Sequence, residues 1–174
     1  MIPFADYCAS VEERLVQHYG IRVITREISA PLIGDLDGAE IQIDPAVAPE
    51  ARLFLLVHLF GHTVQWNVDP RAFEIGQPLP PPVPADRLPE LAEYEREAAG
   101  YGLSLLHEAG IKSIDQWFCD YSASDEAYLM HYYRTGERKE FAAFWRSGSM
   151  LFPPQAIPAF TPVKRSFRRD GVVI

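Results

Sequence analysis

The sequence predicts an α+β fold, mainly helical with a small antiparallel sheet, and three observations carry that prediction. Several stretches place apolar residues three and four apart, the spacing of a helix face. Two short stretches, one β-branched and one alternating in polarity, lie on either side of a Gly-Asp turn. Six prolines between Gln77 and Pro89 interrupt the pattern near its middle.

Residues 5–19 are the first predicted helix, with Tyr7, Val11, Leu15 and His18 on one side, Glu12 and Glu13 on another, and Gly20 as its stop. Ile21–Thr25 and Ala39–Asp44 are the predicted strands. Gly34-Asp35-Leu36-Asp37-Gly38 between them is turn chemistry, which makes them neighbouring and antiparallel. Pro49, in the first turn where proline is tolerated, opens a long helix through about Trp66. That helix is apolar around most of its circumference, the mark of a central, buried element. Residues 77–89 read as an extended surface connection. A helix resumes over 86–109 with acidic residues near its start. Two more follow over Ser124–Thr135 and Glu137–Arg146, and the chain is irregular from Pro153 onward. The expected organisation is one domain over residues 1–152 and a basic tail over 153–174.

Composition narrows the function classes. A chain of 174 residues with 48% hydrophobic content buries a core without disulfides, and Cys8 and Cys119 form no framework. The net charge of −8 argues against nucleic acid as the main partner, although Lys164, Arg165, Arg168 and Arg169 against Asp170 make the tail basic. No apolar run reaches the roughly 18 residues needed to span a bilayer. The first residues lack a basic stretch followed by an apolar one, so a cytoplasmic location is expected.

The chemistry concentrates in Leu53–Thr63. His58 and His62 lie four apart on the most apolar helix, so both imidazoles project from one face and can reach one metal ion. Five histidines give about 0.1 such pairs by chance, so the placement counts for more than the spacing. In the helix after the proline segment, Glu95 falls within the apolar stripe Leu88, Leu91, Ala98, Gly102, Leu105. A carboxylate on a core face is costly unless paired or bound to metal. Two readings follow. His58, His62 and Glu95 hold an ion, or Glu95 accepts hydrogen bonds from the imidazoles with no ion present.

Leu56-Val57-His58-Leu59-Phe60-Gly61-His62 resembles the HExGH helix of the ImmA/IrrE-type zinc metallopeptidases. Glu95-Arg96-Glu97-Ala98-Ala99-Gly100, with Leu105-Leu106 beyond it, resembles the second motif of that family, ExEAN followed by a Leu-Leu pair. The resemblance spans residues 5 to about 107. It implies a zincin-like fold, zinc as cofactor, and His58, His62 and Glu95 as the ligands. It also implies a protein partner such as a transcriptional repressor, in a stress response or a mobile element. Leu59 stands where the family has its catalytic glutamate, Ala99 where it has asparagine, and His107-Glu108 where it has Met-Pro. Leucine can neither take nor give a proton, and general-base catalysis is worth about 10²–10⁴-fold. The sequence therefore predicts a catalytically impaired zincin that binds a protein partner. Glu40, Ile41, Gln42 and Ile43 would offer strand addition, and Leu59 would floor the groove. The alternative is an active peptidase whose base is displaced to Glu97 or Glu93.

Overall fold

A computed structural model describes residues 1–77 and 79–165. Its fold is α+β, and among the described residues it has five α-helices and one three-stranded sheet. Helix α1 (Phe4–Arg14) runs into a π-helical turn (Leu15–Tyr19) that ends at Gly20, whose φ of 67° is a left-handed conformation suited to glycine.

The sheet differs from the sequence expectation. Strands β1 (Arg22–Thr25), β2 (Gly34–Leu36) and β3 (Glu40–Ile43) lie in the order β1-β3-β2. β1 pairs with β3 in parallel, not antiparallel, with Arg22 opposite Glu40 and Thr25 opposite Ile43. The first half of the supposed turn is itself a strand, antiparallel to β3 with Gly34 opposite Ile43. The reversal is confined to Asp37-Gly38-Ala39. There Asp37 Oδ1 accepts from the amides of Ala39 and Glu40, and Gly38 has a φ of 93°. Residues 26–33 carry the chain past β3 to the far edge, which is why β1 and β3 run the same way.

Helix α2 (Pro49–Val68) is the axis of the molecule. Every residue from Leu53 to Trp66 is buried, so α1, α4 and the sheet cover it on all sides. The short α3 (Pro70–Ile75) is capped by Asp69, whose side chain accepts from the Arg71 amide. Helix α4 is Leu88–Glu108 and α5 is Asp115–Thr135. α5 starts nine residues before the predicted Ser124, and its first half buries Phe118 and Cys119. The helix predicted over Glu137–Arg146 is absent apart from a 3₁₀ turn at Phe141–Phe144. Gly136 ends α5 in the left-handed region, and the residues that follow it, Glu137–Glu140, are charged and exposed. Phe141 and Trp145 instead dock on Tyr121, with ring centroids 5.2 and 5.7 Å away.

The irregular segment after Pro153 lies back on the domain. The Gln155 amide donates to Gly100 O at 3.0 Å, Val163 donates to Asn67 at 3.0 Å, and Ile157 and Phe160 pack on the core. Lys164 lies 3.5 Å from Asp37 and the Arg165 guanidinium 5.3 Å over Phe73. The rest of the basic tail, Ser166 to Ile174 with Arg168 and Arg169, lies outside the described residues. No described helix is long and apolar enough to cross a membrane.

Candidate metal centre

Three donor side chains converge between α2 and α4. His58 and His62 are one turn apart on α2, with ring centroids 4.5 Å apart. α4 crosses close to that helix because Gly61 has no side chain, and a Cβ there would run into the Ala98 backbone. Three residues before Ala98, Glu95 is thereby brought level with the imidazoles. Its Oε2 lies 3.1 Å from His62 Nε2 and 3.4 Å from His58 Nε2, and the two Nε2 atoms are 3.1 Å apart. All three residues are buried, at 4, 5 and 7% exposure in the order His58, His62, Glu95. Phe54 stacks on the His58 ring and Tyr94 on the His62 ring.

These separations suit one ion. Tetrahedral ligands about 2.1 Å from a metal lie about 3.4 Å from one another. The hydrogen-bond pattern points the same way. His62 Nδ1 is 2.8 Å from Gln65 Oε1, while Gln65 Nε2 donates to Tyr94 O at 2.9 Å and to Glu97 Oε2 at 2.6 Å. With its amide nitrogen engaged by two acceptors, Gln65 turns its oxygen to His62. That assigns the ring proton to Nδ1 and leaves a lone pair on Nε2. The lone pair faces the Glu95 carboxylate, and two buried acceptors at 3.1 Å need a cation or an extra proton between them. Burial, then His62, push the His58 imidazole down to about 3. It therefore stays neutral, as a ligand must be. Burial raises the Glu95 carboxyl, but positive charge on His62, and then on His58, outweighs it and holds the carboxyl below its usual value, as a cation held among the three would. The buried group His58, His62, Glu95 could hold a metal ion.

Gln65 fixes the ring that Glu95 meets, and such supporting hydrogen bonds are worth about 10–100-fold in metal affinity. Gln65→Ala is accordingly expected to weaken divalent-metal binding by about that factor. Competition against a chromophoric chelator measures it.

Other expected site residues fall elsewhere. β3 is the central strand, its backbone paired with β1 on one side and β2 on the other. Glu40, Ile41, Gln42 and Ile43 therefore have no free edge for strand addition, and the predicted groove there is corrected. Leu59 is fully buried and points into the sheet. Its Cδ1 would lie 3.1 Å from a Cβ built on Gly34, so it floors no open cleft. The candidate displaced bases are also engaged away from the triad. Glu97 accepts from Gln65, and Glu93 is exposed beside Arg96.

A cavity of about 850 Å³ opens beside the triad instead, between α4, α5 and the segment 146–155. His58 and Glu95 reach it, together with Asp125 of α5, whose Oδ2 is 3.9 Å from His58 Nε2. Burial, then Glu95, push the Asp125 carboxyl well above its usual range. Sequence reading missed this residue. Phe118, Tyr121, Asp125, Leu129 and Tyr132 follow helical spacing, the signal that singled out Glu95, but the predicted helix began too late to show the stripe.

Neither a protein family, nor a curated protein, nor a solved structure matches this chain.

Proposed function

We propose that this is a zinc-binding protein of the zincin type, of ImmA/IrrE-like descent, that acts by binding a polypeptide partner and does not cleave it. The observation that carries this reading is the convergence of His58, His62 and Glu95 on one point while Leu59, next to the first histidine, is buried against the sheet. Two imidazoles and a carboxylate suit zinc better than the oxygen-seeking magnesium or calcium. Bound there, zinc would supply Lewis-acid polarisation of a carbonyl. His58, His62 and Glu95 would hold it, and Gln65 would fix the His62 tautomer. Leu59, the residue immediately after His58 on α2, offers no proton acceptor. The cytoplasm remains the proposed compartment. The proposed partner is a protein such as a transcriptional regulator, since a net charge of −8 disfavours direct contact with nucleic acid.

One observation favours the second reading, an active metallohydrolase with a displaced base: Asp125 stands beside His58 on the open side of the site. The two readings separate in one assay. Native protein with zinc and denatured casein is expected to release no peptides above a His58→Ala control. Leu59→Glu is expected to lose stability by a few kcal/mol and to gain no activity, because it buries a carboxylate against Gly34. Zinc-dependent cleavage by native protein that the control lacks would establish the hydrolase.

A further inference from the structure

The wall of the 850 Å³ cavity formed by residues 146–155 is pinned at three points. Ser124 Oγ accepts from the Arg146 amide at 2.9 Å, Asp120 Oδ1 from the Ser149 amide at 2.7 Å, and Gly100 O from the Gln155 amide at 3.0 Å. The space is thus preformed, and an occupant need not order its walls. Ala99, Cys119, Ala123, Phe152 and Pro153 supply its apolar lining. The polar lining falls into three sets. His58, Glu95 and Asp125 stand at the triad end. A second set is engaged within the protein. Arg96 holds Glu126 through two bonds of 3.0 and 2.6 Å, Ser147 Oγ accepts from Trp145 Nε1, and Gln155 Nε2 donates to Glu97. Two groups are left over. Ser122 Oγ is buried with no hydrogen-bond partner among the described residues. Arg146 is exposed at the mouth and has no acidic partner among them. Apolar surface also continues past the mouth. Met150, a lining residue, is 89% exposed, and Leu151 and Trp145, each next to a lining residue in sequence, are 57 and 43% exposed. A small molecule confined to the cavity leaves that surface bare, whereas a polypeptide covers both.

We propose that this cavity is the anchor pocket for the polypeptide partner, and that it takes a tyrosine or tryptophan side chain with an aspartate or glutamate one or two residues away. The aromatic body fills the apolar lining, and its O–H or N–H donates to Ser122 Oγ, the buried hydroxyl that the protein itself leaves unpartnered. The neighbouring acid pairs with Arg146, and the flanking chain lies over Met150, Leu151 and Trp145. The selection uses a hydroxyl and a guanidinium, and a guanidinium stays charged at any pH at which a protein is folded. The inference rests on the reading that this protein acts by binding a polypeptide, and it requires no ion in the triad.

The test selects binders to the full-length native protein from a random peptide library displayed on phage, then measures synthetic copies by fluorescence anisotropy. Enriched peptides are expected to carry a tyrosine or tryptophan with an acid close by. Ala123→Trp, which fills the apolar lining, is expected to weaken them at least about tenfold, the loss typical of an anchor denied its pocket. Ser122→Ala should weaken a tyrosine peptide about fivefold and leave its phenylalanine counterpart within about twofold. Arg146→Glu should weaken the acidic peptide about fivefold and come to prefer the version with lysine in place of the acid. That reversal is a result that loss of structure does not give, and with the Ser122 comparison it keeps the test decisive should Ala123→Trp fail to fold. The proposal is overturned if enriched peptides lack the aromatic and acid, if they bind folded Ala123→Trp as tightly as native protein, or if Arg146→Glu leaves the charge preference unchanged. Peptides that bind but fail these comparisons leave the polypeptide-binding reading standing. If native protein enriches no peptide at all, that reading fails and takes this proposal with it.

Discussion

Zinc at about 100 times its dissociation constant is expected to raise the stability of the native protein by roughly 2.7 kcal/mol. For a chain of this size that is a rise in Tm of roughly 5–10 °C. His62→Ala should abolish the gain. The reason is the arrangement of buried acceptors: Glu95 and His62 face each other at 3.1 Å, and His58 Nε2 completes the set. An ion that binds only the folded chain adds its binding energy to folding. The metal-free protein should also be acid-sensitive. His58 sits at about 3 when folded against its ordinary 6.5, so the unfolded chain takes up the extra proton. The stability that this imidazole contributes is whole above about 6.5 and is lost as pH falls toward 3. Asp125 works in the opposite sense. Its raised carboxyl contributes below the ordinary 3.8, and that contribution is lost as pH rises through its folded value. Asp125→Asn should therefore leave a steeper rise of stability with pH than the native protein shows. Thermal unfolding with and without zinc and chelator, across pH, measures all of this.

Gly61→Ala is expected to be the most damaging single methyl group in the molecule, costing about 3 kcal/mol, the upper end for overpacking. The added Cβ would meet the Ala98 carbonyl and its flanking backbone atoms, and a helix backbone cannot rotate away as a side chain can. α2 and α4 would have to separate, and Glu95, on the same turn as Ala98, would move away from the imidazoles. Stability and metal affinity should fall together. Gly100→Ala on the same helix is the control. Its Cβ would meet only the Gln155 side chain, at 3.0 Å, and alanine is the better helix former. Its cost should stay below about 1 kcal/mol. Urea unfolding of the two variants makes the comparison, and equal losses would show that the α2–α4 approach is not the constraint.

How much of this was legible in the sequence depends on how far each signal reaches along the chain. The histidine pair is a one-turn relation within a helix, and Glu95 betrays itself as a charge in an apolar stripe, so all three members of the triad could be named before any coordinates. The sheet could not be read so. Gly34-Asp35-Leu36 has the composition of a turn, and only the pairing of β2 with β3 makes it a strand. Leu59 was misplaced because the residue after a ligand points about 100° away around the helix, here into the sheet and not into the cavity. Asp125 was missed for want of a start signal, since Ile114 at the N-cap of α5 gives no side-chain cap. Over 137–146 the aromatic spacing imitated a helix, while the rings serve to dock on Tyr121 and Tyr128.

The central claim is that His58, His62 and Glu95 share one metal ion, and zinc X-ray absorption on protein purified without chelators tests it most directly. The account predicts one zinc per chain, with nitrogen and oxygen neighbours at about 2.0–2.1 Å and no sulfur. It also predicts loss of the metal in Glu95→Gln. Native protein that holds no zinc after equilibration, with His62 protonated on both nitrogens and bonded to Glu95, would contradict it.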